Sequence, residues 1–291
     1  MTSLKGSQHE YGVVEIVEDR LYRLGGIARN DGRMSWATPD LDGWVPINSY
    51  LLTTSGRAML VDTGPAAHKQ QILLQLRKLI SRSDPLSIFL TRAEADCIGN
   101  LDEIVRGFNV VGVFSGGRQN PFDFIDDALS HMLEAAYDED TVEALSGRPL
   151  ERKQNDEAID LGDGRTLSVH AAPLRILTTF WLYDDETQTL FTSDFCGHNY
   201  VIGDPLVEPL ASTIPDDELG DAIEHSRRHM YSKFDWMVIA DKVTLRSKLT
   251  SFLEGKTVQA LAPTHGRVVK GSDAVEQQIE IIGKALWGDR E

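Results

Sequence analysis

The sequence predicts an α+β protein in which two β-sheets pack together and helices cover their outer faces. The predicted elements run strands, helix, strand, helix, then strands, helices, strand, helix, which fits two sheets with outer helices better than one doubly wound sheet. The 291 residues are 41% hydrophobic and 25% charged, so the chain can bury a substantial core. Because no repeat, low-complexity linker or composition shift divides it, we predict a single domain over residues 1–291.

Two predicted β-hairpins open the chain. Short apolar runs at Val13–Val17 and Leu21–Leu24 surround an acidic pair and indicate the first hairpin. A segment rich in glycine, aspartate and proline, Gly25–Pro46, separates it from the second. The second hairpin combines Ile47–Leu52 with Ala58–Gly64 around a glycine-containing turn.

Helices and buried strands alternate through the middle of the chain. Apolar residues at helical spacing predict a helix over Ala66–Ile80, and the apolar run Ile88–Leu90 predicts a buried strand. A helix over Cys97–Arg106, a strand from Val110 and an acidic helix over Phe122–Leu145 follow in the prediction.

The last part of the chain is predicted to form a second set of strands with its own helices. The predicted strands are Thr166–His170, Thr179–Tyr183, Thr189–Thr192 and residues 258–263. The predicted helices are Asp216–Tyr231, Trp236–Leu253 and Val275–Leu286. These elements complete the second sheet and its outer layer.

The charge and the cysteine content exclude several classes of function. Lys and Arg number 29 against 45 Asp and Glu, a formal charge of 29 − 45 = −16, which disfavours nucleic acid and anionic membrane surfaces as partners. No apolar segment has the length of a signal-peptide core or a membrane span. Two cysteines, Cys97 and Cys196, are too few for a disulfide framework, so we expect a cytoplasmic protein with reduced thiols.

Reactive side chains are concentrated where a predicted strand ends and a helix begins, in the segment Thr91–Asn100. The four are Arg92, Glu94, Asp96 and Cys97. Their spacing suits ligands that converge on a metal ion. A solvated loop with a capped helix is the alternative, and it is the commoner structure for such a segment taken alone. Asp194 and His265 follow two other predicted strands, where single acids and histidines are more often structural than functional.

The order of these segments along the chain resembles the metallo-β-lactamase fold. Within that fold, the resemblance is to the diiron domain of flavodiiron proteins and related oxygen-binding diiron proteins, and it covers about Tyr11 to Val269. It implies an αββα sandwich with the site at one edge of the paired sheets. The matched segments are NSYLL and LVDTG, TRAEADCIGNL, LFTSD and APTHG.

The resemblance also places this chain's residues in the family's ligand pattern. Arg92-x-Glu94-x-Asp96-Cys97 falls on the family's His-x-Glu-x-Asp-His, and Pro173-Leu174-Arg175 falls on its Pro-x-Leu-His. Asp194 and His265 match the bridging aspartate and the final histidine. Arginine and cysteine therefore stand where the family has three of its four histidines.

These replacements have direct consequences for metal binding. Arginine has no lone pair to offer, and its +1 charge about 4 Å from a +2 ion is repelled by about 8 kcal/mol at an effective dielectric constant of about 20. We therefore expect Arg92 and Arg175 to fill the first metal position and to pair with Glu94 and Asp194. The second position keeps Asp96, Cys97, Asp194 and His265, which could hold one Zn or Fe ion. The alternative is that Cys97 is a buried apolar residue and the site holds no metal.

Three functions are compatible with this sequence. The first is a degenerate diiron-type protein that binds a partner or a small ligand, an anion if Arg92, Arg175 and His198 line its pocket. The second is a mononuclear hydrolase in which a metal activates water and Asp96 or Glu94 acts as base. The third is an iron-dependent oxidoreductase that takes electrons from a separate protein, since we expect no flavin in this chain. The family resemblance also favours a homodimer.

Overall fold

Two seven-stranded β-sheets form the centre of the protein. The computed structural model describes residues 12–30, 34, 43–116, 150–174, 178–200 and 210–288. The first sheet contains, in spatial order, β1 (Val14–Val17), β2 (Leu21–Asn30), β3 (Gly43–Thr54), β4 (Arg57–Val61), β5 (Leu86–Leu90), β6 (Val110–Gly116) and β7 (Leu150–Lys153). The second contains β8 (Ala158–Gly162), β9 (Arg165–Ala171), β10 (Phe180–Asp184), β11 (Thr189–Ser193), β12 (Leu210–Ala211), β13 (Ala260–Pro263) and β14 (Val268–Lys270), in the spatial order β12-β14-β13-β11-β10-β9-β8.

The α-helices of the described residues fall into two groups along the chain. The first group is α1 (Lys69–Leu79), α2 (Ala95–Ile98) and α3 (Leu101–Gly107). The second group is α4 (Leu219–Lys233), α5 (Lys242–Leu253) and α6 (Ser272–Trp287). None of these helices is long and apolar enough to cross a membrane.

Three layers of buried apolar side chains show that the protein is an αββα sandwich. One cluster joins α1, α2 and α3 to the outer face of the first sheet, and another joins α4, α5 and α6 to the outer face of the second. The third fills the space between the two sheets, with Phe89 and Phe191 among its members. The predicted α+β fold with two sheets and outer helices is therefore confirmed.

The two predicted N-terminal hairpins are present, and the second strand of the first and the first strand of the second are longer than expected. β2 continues to Asn30, and β3 begins at Gly43, so both strands extend into the segment rich in glycine, aspartate and proline. Gly25 allows this close pairing, because its φ is +103° and a Cβ there would lie 2.2 Å from the carbonyl oxygen of Ile47. The predicted helix over Phe122–Leu145 lies outside the described residues.

The helix predicted over Cys97–Arg106 is two short helices in the structure. α2 ends at Ile98 and α3 begins at Leu101. The interruption has a tertiary cause. The Asn100 side-chain amide donates hydrogen bonds to the carbonyl oxygens of Thr63, Gly64 and Pro65, at 2.8, 3.1 and 3.0 Å. These bonds hold the start of α3 against the loop that follows β4.

Parallel strand pairs in both sheets bring several loops to the same edge. β4 pairs in parallel with β5, and β11 pairs in parallel with β13. The loop after β13 is fixed to the first sheet by Asn48, whose amide donates to the carbonyl oxygens of Pro263 and Gly266, each at 2.8 Å. The Tyr50 hydroxyl donates to the same Pro263 oxygen at 2.6 Å. The two sheets are thus held together where these four strands end.

Candidate functional site

The candidate site lies at the carboxyl ends of four strands. Asp62 follows β4, Arg92 follows β5, Asp194 follows β11 and His265 follows β13. Because the carboxyl ends of parallel strands meet at one edge of a sheet, these loops lie side by side across the two sheets. The sequence segments that carry the family resemblance therefore meet in space.

Arg92 is the centre of this cluster. Its Nε lies 3.3 Å from Glu94 Oε2, and one terminal nitrogen lies 3.5 Å from Asp194 Oδ2, while the other terminal nitrogen pairs with Asp96. The Arg92 side chain is only 3% exposed. One buried guanidinium therefore neutralises part of the charge of three carboxylates that come from two different loops.

His265 connects Asp96 to a lysine that the sequence analysis did not identify. Its Nε2 lies 2.7 Å from Asp96 Oδ2, and its Nδ1 lies 3.2 Å from the Nζ of Lys233. Lys233 is the last residue of α4, and its Nζ also donates to the carbonyl oxygen of Asp194. No motif surrounds Lys233 in the sequence, so only the packing of α4 against this edge places it in the site.

The charge states of this group follow from burial. Burial and the positive charge of Lys233 lower the pKa of His265 to about 4, so its ring is neutral at pH 7. Burial lowers the pKa of Lys233 to about 8, with the charge of Asp194 acting in the opposite direction, so the amine is mostly protonated at pH 7. Burial alone would raise the pKa of Asp96, but Arg92 and His265 hold it well below its usual range.

Asp62 connects the loops that carry the site, and the sequence analysis did not predict it as a site residue. Its carboxylate accepts hydrogen bonds from the Thr91 amide and hydroxyl, both at 2.8 Å, and from the Thr264 hydroxyl at 3.1 Å. Burial raises its pKa to about 6. The Thr91 hydroxyl also lies 2.8 Å from the hydroxyl of Ser193, so Asp62 joins loops of both sheets. In the sequence, the indication that Asp62 belongs to the site is that it directly follows a buried strand, in the segment LVDTG.

Cys97 was predicted as a metal ligand, with a buried apolar residue as the alternative, and its surroundings match the alternative. The residue is 0% exposed and belongs to the apolar cluster between α1–α3 and the first sheet. Its Sγ lies 3.8 Å from the Thr91 hydroxyl. Burial raises the pKa of the thiol well above its usual value, so the side chain is a protonated, weakly polar group in this cluster.

The remaining two predicted site residues are His198 and Arg175. His198 is buried, and its Nδ1 lies 2.9 Å from the side-chain oxygen of Gln278 on α6, so the ring connects its loop to that helix. Burial lowers its pKa. Its predicted ligand-binding role remains a prediction. Arg175 lies outside the described residues.

Residues 42–207, more than half of the chain, match the family model of the metallo-beta-lactamase superfamily. The chain belongs to this superfamily. The αββα layers and the position of the site at one edge of the paired sheets agree with this assignment, which the sequence resemblance had predicted.

Similar solved structures are flavodiiron proteins. Rubredoxin oxygen:oxidoreductase from Desulfovibrio gigas superposes with a TM-score of 0.66 at 18% identity, over 94% of this chain and 61% of that protein. The Flv1 flavodiiron core from Synechocystis sp. PCC6803 gives a TM-score of 0.64 at 15% identity, again over 94% of this chain and 61% of that one. At these identities the likeness concerns the fold.

The chain is also similar to a curated flavoprotein. A protein named diflavin flavoprotein A 1, from Thermosynechococcus vestitus, is 28% identical over 180 residues. The match includes 60% of this chain and 28% of that protein. This chain spans less than two thirds of the length of each of these three proteins.

The described residues do not fit a diiron centre. Arg92 brings a fixed positive charge into contact with the three carboxylates that a metal pair would need. Cys97, in the frame of a histidine ligand, is a buried thiol within an apolar cluster. Across the described ranges, no three or more His, Cys, Asp and Glu side chains are arranged to hold a metal ion.

Proposed function

We propose that this chain is a metal-independent member of the superfamily whose site binds a small ligand or a partner protein. The observation that carries the proposal is the position of the Arg92 guanidinium among Glu94, Asp96 and Asp194. A fixed cation supplies there the charge that a metal would otherwise supply. The fold and the carboxylates are kept, and the redox or Lewis-acid function is replaced by binding.

The charges of the site favour a neutral or cationic ligand over an anion. Among the described residues of the site, the cations Arg92 and Lys233 lie beside the three acids Glu94, Asp96 and Asp194, and the buried His265 is neutral at pH 7. Arg92 is also occupied by its carboxylate partners and by Ser193, whose hydroxyl accepts a hydrogen bond from it at 2.9 Å. Glu94, with a side chain 40% exposed, is the most accessible of the three acids. A ligand with an amine or guanidine group would meet this carboxylate.

The two enzymatic alternatives receive less support from the same residues. A mononuclear hydrolase built on Asp96, Cys97, Asp194 and His265 needs the Cys97 sulfur as a ligand, and this side chain is fully buried in the apolar cluster between α1–α3 and the first sheet. It also needs Asp96 free, whereas this carboxylate contacts both Arg92 and His265. An iron-dependent oxidoreductase needs the first metal position that Arg92 fills. The cytoplasmic location and the homodimer stay predictions from the sequence.

The proposal is tested by metal analysis and ligand screening of protein purified without added metal. We expect iron and zinc far below one ion per chain, and an unchanged melting temperature after treatment with a chelator. We would then measure the melting temperature of the protein with small amines and with matched carboxylates. We expect the amines to raise the melting temperature of the wild type and of the control variant Glu103→Gln, but not that of Glu94→Gln. Two irons per chain would overturn the proposal, and one zinc or iron would favour the hydrolase.

A further inference from the structure

A second cluster of reactive side chains lies on the helix-covered face of the second sheet. Ser168 and His170 are two residues apart on β9, so their side chains leave the same face of the strand. Asp156 lies in the loop before β8, and its backbone N–H donates to the carbonyl oxygen of Val169 at 2.8 Å. The loop thus lies against β9, which brings a serine, a histidine and an aspartate together.

The distances within this cluster are those of a Ser-His-Asp triad. His170 Nδ1 lies 3.1 Å from Asp156 Oδ1, and His170 Nε2 lies 2.9 Å from the hydroxyl of Ser168. Because a carboxylate only accepts hydrogen bonds, the proton of a neutral ring sits on Nδ1 and Nε2 is free to accept from Ser168. The Ser168 hydroxyl also lies 3.4 Å from the carbonyl oxygen of Tyr183, a longer contact than the one to His170.

Neighbouring residues contact both the Asp156 carboxylate, whose side chain is 73% exposed, and the buried imidazole of His170. Asp156 adopts a left-handed backbone with φ +66°, which is uncommon for a residue other than glycine. The Asn155 amide donates to the second Asp156 oxygen at 2.6 Å, and Asn155 Oδ1 accepts from the Ala171 N–H at 2.7 Å. The ring of His170 packs edge-on against Phe252 of α5, with centroids 5.1 Å apart. In sites with an activated nucleophile, a third group orients the general base that accepts the nucleophile's proton.

The protonation state and exposure of the cluster suit a nucleophile. Burial lowers the pKa of His170, and the positive charge of Lys256 adds to this effect, so the ring is a neutral base at pH 7. Ser168 remains half-buried rather than fully enclosed. The Lys256 ammonium lies 4.4 Å from the centroid of the Phe252 ring and donates to the carbonyl oxygen of Phe252 at 3.0 Å, so this contact keeps a positive charge close to His170.

We propose that Ser168, His170 and Asp156 form an esterase-type nucleophilic site for small activated carboxylic esters, separate from the cluster around Arg92 and independent of its function. Ser168 Oγ bonds to the ester carbonyl carbon while its proton passes to His170 Nε2. The bond to the leaving alcohol breaks, and the alcohol takes that proton from His170. Water then attacks the acyl carbon, gives a proton to His170 and releases the carboxylic acid, and the proton returns to Ser168 Oγ. Asp156 acts as a positioning residue for the imidazole.

A fluorophosphonate probe tests the nucleophile on the full chain. The Ser168 oxygen displaces fluoride from phosphorus, which leaves a covalent adduct that intact-mass and peptide mass spectrometry can locate. We expect one adduct at Ser168 in the native protein and none after denaturation in urea. The native-against-denatured comparison needs no variant, so it decides the point even if substitutions on β9 disturb folding.

Substitutions test the role of each residue in the Ser168–His170–Asp156 cluster. We expect Ser168→Ala to lose the adduct and His170→Gln to form it at least about 100-fold more slowly. Ser87→Ala is the matched control, because Ser87 is also a half-buried strand serine, and it should leave labelling unchanged. For 4-nitrophenyl acetate, Asp156→Asn should lower kcat about tenfold or more with KM and melting temperature nearly unchanged.

Several results would overturn the proposal. The first is a folded wild-type protein that gives no adduct at Ser168. The others are an adduct that forms equally fast in His170→Gln or in denatured protein, and ester hydrolysis that persists at the wild-type rate in Ser168→Ala.

Discussion

Arg92 is the residue on which the candidate site depends most. Its guanidinium is the fixed cation that three carboxylates share, so its removal leaves these acids close together without that charge. We expect Arg92→Ala to lower the free energy of unfolding by roughly 3–5 kcal/mol, as measured by urea denaturation. Arg106→Ala is the control, because Arg106 pairs with Asp102 within α3 near the surface and should cost only about 0.5 kcal/mol. Equal stabilities of the two variants would show that Arg92 does not compensate the acids.

His265 should make the stability of the fold sensitive to acid. Burial and Lys233 lower its folded-state pKa to about 4, below the usual 6.5, so the unfolded chain takes up a proton first as the pH falls. The stability contributed by neutral His265 is present above pH 6.5 and is lost progressively toward pH 4. Between pH 7 and 4, we expect the wild type to lose on the order of 3 kcal/mol more stability than His265→Gln. Urea denaturation at several pH values measures both curves, and parallel curves would contradict the expectation.

At the scale of elements, local pattern predicted most strands and helices, and tertiary contacts decided the exceptions. Periodicity predicted α1, α6 and the hairpins, because each buries one face of a regular element. The break between α2 and α3 depends on Gly99 and Asn100. A Cβ at Gly99 would lie 2.7 Å from the Ala66 nitrogen, and Asn100 bonds to the loop after β4. Neither contact is visible in the residues of the helix itself.

The Asn100 side chain stabilises the junction between α2 and α3. Asn100→Ala leaves carbonyl oxygens of the β4 loop without the donors that Asn100 supplies in the buried interior. We expect a loss of roughly 1–3 kcal/mol in the free energy of unfolding, measured by urea denaturation. Asn109→Ala is the matched control, since Asn109 is exposed and donates to the carbonyl oxygen of Ser83. An Asn100 variant as stable as this control would mean that the junction is held by packing alone.

At the scale of the whole molecule, the arginine of an internal ion pair connects the two sheets. Arg165 on β9 pairs with Asp184 on β10 at 2.5 Å, and both side chains are 0% exposed. Arg165 also donates to the carbonyl oxygen of Thr53 at the end of β3, in the other sheet, at 2.9 Å. Nothing in the sequence singles out this pair, because its partners lie on separate elements of a sandwich that must form first.

Breaking this connection should destabilise the fold strongly. Asp184→Asn removes the charge that compensates buried Arg165, so we expect a loss of roughly 3–5 kcal/mol in the free energy of unfolding. Glu186→Gln, at a partly exposed acid near the same arginine, should change stability by less than about 1 kcal/mol. Urea denaturation of both variants measures the difference. A small effect of Asp184→Asn would indicate that the sandwich holds without the pair.

The site as a whole was only partly predictable from sequence. The match to the family's ligand pattern predicted five of the site residues, because each follows a strand that the fold brings to one edge. These residues are Arg92, Glu94, Asp96, Asp194 and His265. Lys233 and the depth of burial of Cys97 depend on how α4 and the α1–α3 layer pack, which no local motif encodes. The roles of these residues as ligands or binding groups remain predictions.

The last prediction concerns whether the sandwich still has the frame of a metal site. The site residues come from loops after separate strands that are fixed by contacts such as Asn48 with the Pro263 carbonyl oxygen, so this frame does not depend on Arg92 alone. Histidine at positions 92, 97 and 175 would remove two positive charges and supply three nitrogen donors. We therefore expect Arg92→His/Cys97→His/Arg175→His to bind iron or zinc at a level that the wild type does not reach, measured by elemental analysis after gel filtration. Arg106→His, at an arginine near the surface of α3, is the control for adventitious binding. If the folded triple variant holds no more metal than this control, these three side chains do not by themselves decide whether the fold binds metal.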